Sequence, residues 1–130
     1  MPGLEQTAGE SLKSSPVALT REQAELLAKQ FIETATHRAW NLLAIAILWN
    51  HFHLVVGASP ATDPSKVLAD FKSCGSRRLD ESLGDGSTRK WWTQSGSKRP
   101  LKDEQAVRNA VHYVVHRQAN PLITWQREIS

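Results

Sequence analysis

The chain has 130 residues, of which 40% are hydrophobic and 22% are charged, and its formal net charge at pH 7 is +3. This length fits one small domain and excludes a multidomain chain. The composition is that of an ordinary globular protein, so neither a coiled coil nor a wholly disordered chain is the default expectation. The longest apolar stretch, residues 42–48, is far below the roughly 18–20 residues that cross a bilayer. We therefore expect no transmembrane helix and no membrane partner.

The N-terminal residues and the cysteine content bear on location. Residues 1–17 are rich in Gly, Ser, Pro and Glu without periodicity, which predicts a flexible tail. They lack the basic start and apolar centre of a signal peptide. The only cysteine, Cys74, cannot form an internal disulfide, as is usual in a reducing compartment. The expected location is cytoplasmic.

Basic residues concentrate in one stretch of the chain. Residues 66–102 contain nine Lys or Arg and four Asp or Glu, and nine minus four gives a local net charge of +5. Such a stretch is either a solvated face or a footprint for nucleic acid. Trp91 and Trp92 lie within it, and each ring is either part of the core or a platform for an unpaired base.

A capping box predicts that the first helix spans residues 20–37, because Thr20 is followed three residues later by Gln23. Apolar residues then recur at helical spacing. They are Ala24, Leu27, Ala28, Phe31, Ile32 and Ala35. The continuously apolar residues 42–48 predict a buried strand, which a tight turn connects to a second strand over residues 51–57. The two strands are expected to form an antiparallel hairpin.

The second helix is predicted from Pro64, after the cap residue Asp63, to a stop at Gly84. Residues 84–100 are predicted to be a loop with one short strand at residues 91–93. A third helix is predicted from a cap at residue 103 to the Asn-Pro pair at residues 120–121. Its apolar stripe consists of Val107, Ala110, Val111 and Val114.

Two groups of side chains could carry chemistry. His51 and His53 are two residues apart on a strand, so they share a face and form either a metal-binding pair or two half-buried polar groups. Tyr113 is the only tyrosine, and Asn109, His116 and Arg117 lie within about one helical turn of it. It is either a packing residue with its hydroxyl at the surface or a nucleophile for a phosphodiester.

Several stretches resemble a known family. NHFHLVV (residues 50–56) resembles the His-hydrophobic-His (HUH) motif, and HYVVHRQANPL (residues 112–122) resembles the tyrosine helix of HUH single-strand transposases. The most similar groups are the IS200-like and REP-associated tyrosine transposases. The resemblance spans about residues 20–125 and includes LADFKSCGSRRL and WWTQSGSKRPLKDEQAVRNAVHYVV. It implies an α+β fold with helices packed on a small antiparallel sheet, a homodimer, and single-stranded DNA with hairpins as the substrate.

The resemblance also implies roles for the candidate residues. His51 and His53 would hold a divalent cation, Mg²⁺ or Mn²⁺, and Tyr113 would attack the phosphate to leave a 5′-phosphotyrosine and a free 3′-hydroxyl. In the family a polar residue of the tyrosine helix, often a glutamine one turn beyond the tyrosine, completes the metal site. Here that position is Arg117, which cannot bind a cation. The candidates that flank it are His116 and Gln118, and helical angles favour His116.

Basic and aromatic residues would contact the DNA. By composition and by the resemblance, phosphates would be bound by Arg77, Arg78, Lys98 and Arg99, and a base would stack on Trp91 or Trp92. The predicted domain is residues 18–126, with tails at 1–17 and 127–130, so the first strand of the family fold is expected to be missing. This departure and Arg117 favour a domesticated protein that binds hairpins without cutting them. The intact histidines and tyrosine favour an enzyme, and a structural metal-binding protein is the third hypothesis.

Overall fold

The structure, a computed structural model, describes residues 4–11, 18–86, 88–89, 91–92 and 97–128, with backbone only for residues 4–11 and 97–98. Three helices and five strands follow one another along this part of the chain. They are β1 (Leu4–Ser11), α1 (Arg21–Arg38), β2 (Asn41–Ile47), β3 (His51–Ala58), α2 (Pro64–Leu83), β4 (Ser97–Leu101), α3 (Glu104–His116) and β5 (Ile123–Gln126).

The strands form one antiparallel sheet in the order β4-β1-β3-β2-β5. β2 and β3 form the predicted hairpin, closed by a hydrogen bond from Leu48 N to His51 O of 2.8 Å. An irregularity between Leu42 and Ala44 adds one residue to β2, and this bulge interrupts the alternation of side chains, so that Leu43 and Ala44 both pack on the same cluster. The predicted α+β fold with a small antiparallel sheet is confirmed.

Polar side chains begin the three helices, as predicted, but α3 ends at His116, before the Asn-Pro pair that was predicted to end it. Thr20 Oγ1 accepts a hydrogen bond from Gln23 N at 3.1 Å, and the Gln23 side chain accepts one from Thr20 N. Asp63 and Asp103 cap the other two helices in the same way, each accepting from a backbone N–H of the first turn. Gly84 ends α2 at a φ of 70°, a left-handed conformation that glycine adopts without steric cost.

Each face of the sheet carries its own core. Helix α1 packs on the face to which Phe52, Leu54 and Val56 of β3 point, and α2 packs against α1 in the same cluster. Helix α3 packs on the other face, where it contacts a smaller cluster that includes Val55. The period of two predicted for β3 is therefore confirmed, and it places His51 and His53 on the face that α3 covers.

The prediction of a flexible tail over residues 1–17 is wrong for Leu4–Ser11, which form β1; residues 1–3 and 12–17 lie outside the described part. β1 pairs with β3 from Leu4↔Ala58 to Ser11↔His51 and with β4 on its other side. A strand therefore precedes α1, where the sequence predicted none. The segment was missed because it has few apolar or β-branched residues, and its strand conformation depends on pairing with two neighbours rather than on local propensity.

Two further strands differ from expectation. The strand predicted at residues 91–93 lies instead at Ser97–Leu101, and residues 91 and 92 precede it as irregular chain. The strand β5 was not predicted, although its sequence ITWQ contains the β-branched and aromatic residues that strands favour. Within the described ranges, no helix is both long enough and apolar enough to span a membrane.

Candidate nucleic-acid cleavage site

His51 and His53 form a close pair at the hairpin end of β3. Their ring centroids lie 5.0 Å apart with an interplanar angle of 88°, and both side chains are partly buried. In β1 the partners of these two residues are Ser11 and Gly9. The pair is therefore carried by a strand with a neighbour on each side, which holds the backbone of both residues in place.

Asn50 orients the first imidazole. Its Oδ1 lies 2.7 Å from His51 Nδ1, and because an amide oxygen only accepts hydrogen bonds, Nδ1 carries the proton. The lone pair of His51 is then on Nε2, which is the arrangement that a ligating histidine needs. The sequence analysis placed residue 50 only in the turn. The position of Asn50 directly before the His-x-His motif could have indicated that it orients the first histidine.

Burial favours the neutral form of both imidazoles. It lowers the pKa of His51 below the ordinary value of 6.5. The pKa of His53 is lowered by burial and, secondarily, by the neighbouring charge of His51. Because only neutral imidazole offers a lone pair to a cation, the environment favours the metal-binding form at pH 7.

We expect the free energy of unfolding of the metal-free protein to fall as the pH drops below 6.5. The pKa of both histidines is lower in the folded chain, so the unfolded chain binds more protons there and is favoured by acid. Urea unfolding between about pH 7.5 and pH 5.5 measures the slope, and His53→Gln should make it shallower. An identical slope in the variant would contradict this assignment.

Tyr113 lies on α3 with 54% of its surface exposed. The buried residues of α3, Ala110 and Val114, pack on a cluster that includes the small residues Ala44 and Ala46 of β2. Ala46 pairs directly with His53. The small side chains allow the helix to approach the sheet closely, on the face and near the end where the histidines lie.

A groove of about 200 Å³ runs along α3. It is lined by Leu43, Val107, Arg108, Val111, His112, His116, Gln126 and Arg127. Leu43 lies three residues, about 10 Å, from Ala46, the β2 residue that pairs with His53. The groove therefore lies towards the open end of the hairpin, away from the turn that precedes His51. Val107 and Val111 lie on one side of the buried line of α3 and Tyr113 on the other. Tyr113 therefore occupies the flank that faces the histidine end.

The structure does not bring His116 to the histidine pair. Its ring lies 4.9 Å from that of His112, beside the groove. In the part of the chain that the structure describes, no three His, Cys, Asp or Glu residues are close enough to hold a metal ion together. In the described structure His116 therefore does not form a three-residue group with His51 and His53.

Gln118 lies closer to the tyrosine backbone. α3 ends at His116, and Arg117 leaves the helical conformation with a φ of −113°. The partly buried Gln118 then turns back, and its Nε2 donates to Tyr113 O at 3.4 Å. Arg117 is exposed.

Both tryptophans predicted to stack on DNA are core residues. Trp91 is 1% exposed and Trp92 is 7% exposed. Trp91 Nε1 donates to Asp80 Oδ1 at 2.8 Å, and Trp92 Nε1 donates to Lys72 O at 2.9 Å. Both indole rings pack against α2, and their N–H groups donate hydrogen bonds to residues of that helix. The rings are therefore shielded from solvent. The base-stacking role predicted for Trp91 and Trp92 is wrong.

We expect Trp91→Ala to reduce the free energy of unfolding by about 3–5 kcal/mol, because it leaves a large cavity in the core. Urea unfolding followed by circular dichroism measures the loss. Trp49→Ala is the matched control, since that ring is 55% exposed, and it should change the stability far less. A loss for Trp91→Ala no larger than the control's would contradict the core assignment.

The predicted basic contacts lie in two layers of the molecule. Arg77 and Arg78 belong to α2, on the sheet face away from the histidines. Arg99 is exposed, and the register Arg99↔Thr7↔Val55 places it on the histidine face. Lys98 belongs to β4, but its side chain lies outside the described part. The structure therefore does not gather the predicted contacts on one surface.

Comparisons with known proteins identify the fold. A REP-associated tyrosine transposase bound to a REP hairpin is similar to this chain, with a TM-score of 0.67 and 16% identity, over 88% of this chain and 66% of that one. A candidate transposase from Deinococcus radiodurans R1 is similar with a TM-score of 0.68 and 20% identity, over 92% of this chain and 95% of that one. This chain thus spans just under two thirds of the REP-associated protein. The fold is that of the tyrosine transposases.

The sequence identifies the family. The model of the family described as "Transposase IS200 like" matches residues 12–118. The chain therefore belongs to the IS200-like transposase family, and the predicted resemblance is confirmed. No curated protein sequence matches the chain.

Proposed function

We propose that this protein cuts and rejoins single-stranded DNA at hairpins through a 5′-phosphotyrosine at Tyr113, with a divalent metal ion. One observation carries the proposal: an exposed tyrosine on α3 and a neutral histidine pair on β3 lie on the same face of the sheet. The family and the hairpin-bound transposase of similar fold supply the substrate class.

The donor atoms fit a cation such as Mn²⁺. Two neutral imidazoles, one of them oriented by Asn50, suit a borderline metal better than Mg²⁺, which prefers oxygen ligands. His51 and His53 would hold the ion, with Gln118 as the further candidate ligand, since an amide oxygen is acceptable to both metals. Bound there, the ion would neutralise charge on the scissile phosphate.

The proposed reaction exchanges one phosphodiester for another. The Tyr113 oxygen attacks phosphorus and loses its proton, the bond from phosphorus to the 3′ oxygen breaks, and that oxygen takes up a proton. The 5′ end stays bound to the tyrosine, so the energy of the broken bond is retained for rejoining and no nucleotide cofactor is needed. Exposure of Tyr113 leaves its hydroxyl accessible to a strand lying over the face.

We further propose that the active protein is a homodimer. The sheet ends in two edge strands, β4 and β5, and edge strands offer unpaired backbone groups to a second chain. The alternative function, a domesticated protein that binds hairpins without cleaving them, is supported by the cation Arg117 at the position where the family often has a ligand. The second argument for a non-cleaving protein was the expected lack of a first strand, and the presence of β1 removes that argument.

A denaturing gel tests the proposal. The purified protein is incubated with Mn²⁺ and a labelled pool of hairpin-bearing single-stranded DNA, beside a sample with excess EDTA and a sample with fully duplex DNA. We expect a denaturant-resistant adduct only with Mn²⁺ and hairpin DNA. A mobility shift in a native gel without any adduct would contradict cleavage and favour the binding protein.

A further inference from the structure

The five tryptophans of the chain differ sharply in exposure. Trp91 and Trp92 are core residues, and Trp40 and Trp125 are partly buried against the same core. Trp49 is 55% exposed. Among the residues whose side chains the structure describes, the only other exposed large hydrophobic residue is Tyr113. An exposed indole offers a large apolar face to solvent, and tryptophan is enriched where proteins bind partners.

The backbone of Trp49 is held firmly. Its carbonyl accepts a hydrogen bond from Leu19 N at 2.8 Å, and Leu19 is itself buried. The residue before it, Leu48, donates to His51 O at 2.8 Å and closes the turn. Because the turn is tied to both the hairpin and the segment before α1, the exposed indole is attached at a fixed point, which lowers the entropy cost of binding.

This fixed point adjoins the proposed site. Trp49 lies two residues before His51, and Asn50, which orients the His51 ring, lies between them. A nucleotide next to the scissile phosphate would pass this turn. Bases stack on aromatic rings in a sequence-tolerant way, because every base has a π-face. A strand with unpaired bases therefore matches both the ring and the neighbouring phosphate site.

We propose that Trp49 stacks on an unpaired base adjacent to the scissile phosphate and thereby positions the strand over the histidine pair. The inference rests on the proposed function for the location of the phosphate. It replaces the stacking role predicted for Trp91 and Trp92, and it assigns to this protein a preference for single-stranded over paired DNA at that nucleotide.

Binding measurements in the Tyr113→Phe background test the inference without cleavage. Fluorescence anisotropy gives the Kd for a hairpin with a single-stranded flank, for the same DNA with an abasic site at each flank position in turn, and for a fully paired duplex. The variants are Trp49→Ala, Trp49→Phe, which keeps a ring, and Trp49→Leu, which keeps an apolar side chain without a ring. Circular dichroism confirms folding, and sedimentation gives the oligomeric state.

We expect Trp49→Ala and Trp49→Leu to weaken binding to the flanked hairpin about tenfold, as is typical of a lost base stack, and Trp49→Phe to weaken it much less. One abasic position should cause the same loss with Trp49 present and almost none in Trp49→Ala, because the two changes remove the same interaction. Equal affinities for Trp49 and Trp49→Ala, or additive losses at every abasic position, would overturn the inference. A change of oligomeric state in Trp49→Ala without that coupling would overturn it in favour of a dimer contact.

The same data separate the two proposals. Coupling between Trp49 and one base, together with no adduct in the denaturing gel, would contradict cleavage and support the stack as part of a binding protein. An adduct that forms with hairpin DNA, together with no coupling at any position, would support cleavage and overturn the stack.

Discussion

Tyr113→Phe is expected to abolish the covalent protein–DNA adduct and to reduce strand cleavage at least about a thousandfold, because the variant has no oxygen to attack phosphorus. The ring is exposed, so the variant should fold normally and bind hairpin DNA with nearly unchanged affinity. Denaturing gels with labelled DNA measure the adduct and the cleaved strand, and anisotropy measures binding in parallel.

His112→Ala is the matched control for this substitution. It removes another exposed ring from the same helix, one residue away, and should leave the adduct intact. An adduct of undiminished yield in Tyr113→Phe would show that a different side chain is the nucleophile, and the assignment of Tyr113 would then be wrong.

His51→Ala and His53→Ala are each expected to reduce cleavage about a hundredfold or more, because each removes one of the two histidines proposed to hold the metal. Both variants should also lose affinity for Mn²⁺, which isothermal titration calorimetry measures directly in the absence of DNA. A loss of metal affinity without DNA distinguishes a ligand from a residue that only contacts the strand.

The chain offers a second histidine pair as a control. His112 and His116 have ring centroids 4.9 Å apart, close to the 5.0 Å of His51 and His53. Removing His116 should leave cleavage unchanged, because that ring lies by the groove on α3. If His116→Ala abolished cleavage and His53→Ala did not, the metal site would have to be placed on the helix instead.

Patterns that depend on neighbouring residues were predictable from the sequence. Caps such as Thr20 and Asp63 accept hydrogen bonds from backbone groups two or three residues away, so the first residues of α1 and α2 could be predicted from local chemistry. The alternation along residues 51–57 gave the face on which His51 and His53 lie, because the period of a strand is independent of its partners.

Features that depend on distant parts of the chain were not predictable. The burial of Trp91 and Trp92 is set by α2, on which their N–H groups bond to Asp80 and to the carbonyl of Lys72. Composition could not distinguish those rings from Trp49. The strand conformation of residues 4–11 likewise comes from pairing with β3 and β4, and the local sequence carries little of that information.

The placement of β1 in the sheet constrains the order in which the strands can pair. β2 and β3 are joined by a tight turn and can pair early, and β1 can then pair with β3, but β4 lies about ninety residues beyond β1 and joins the sheet only through it. Contacts of such large sequence separation form slowly. Since β4 stands at the edge of the described sheet with β1 as its neighbour, eight N-terminal residues hold Arg99 in register with the histidine strand. Any change that weakens β1 would thus weaken the attachment of the β4 edge to the sheet face that carries the histidines.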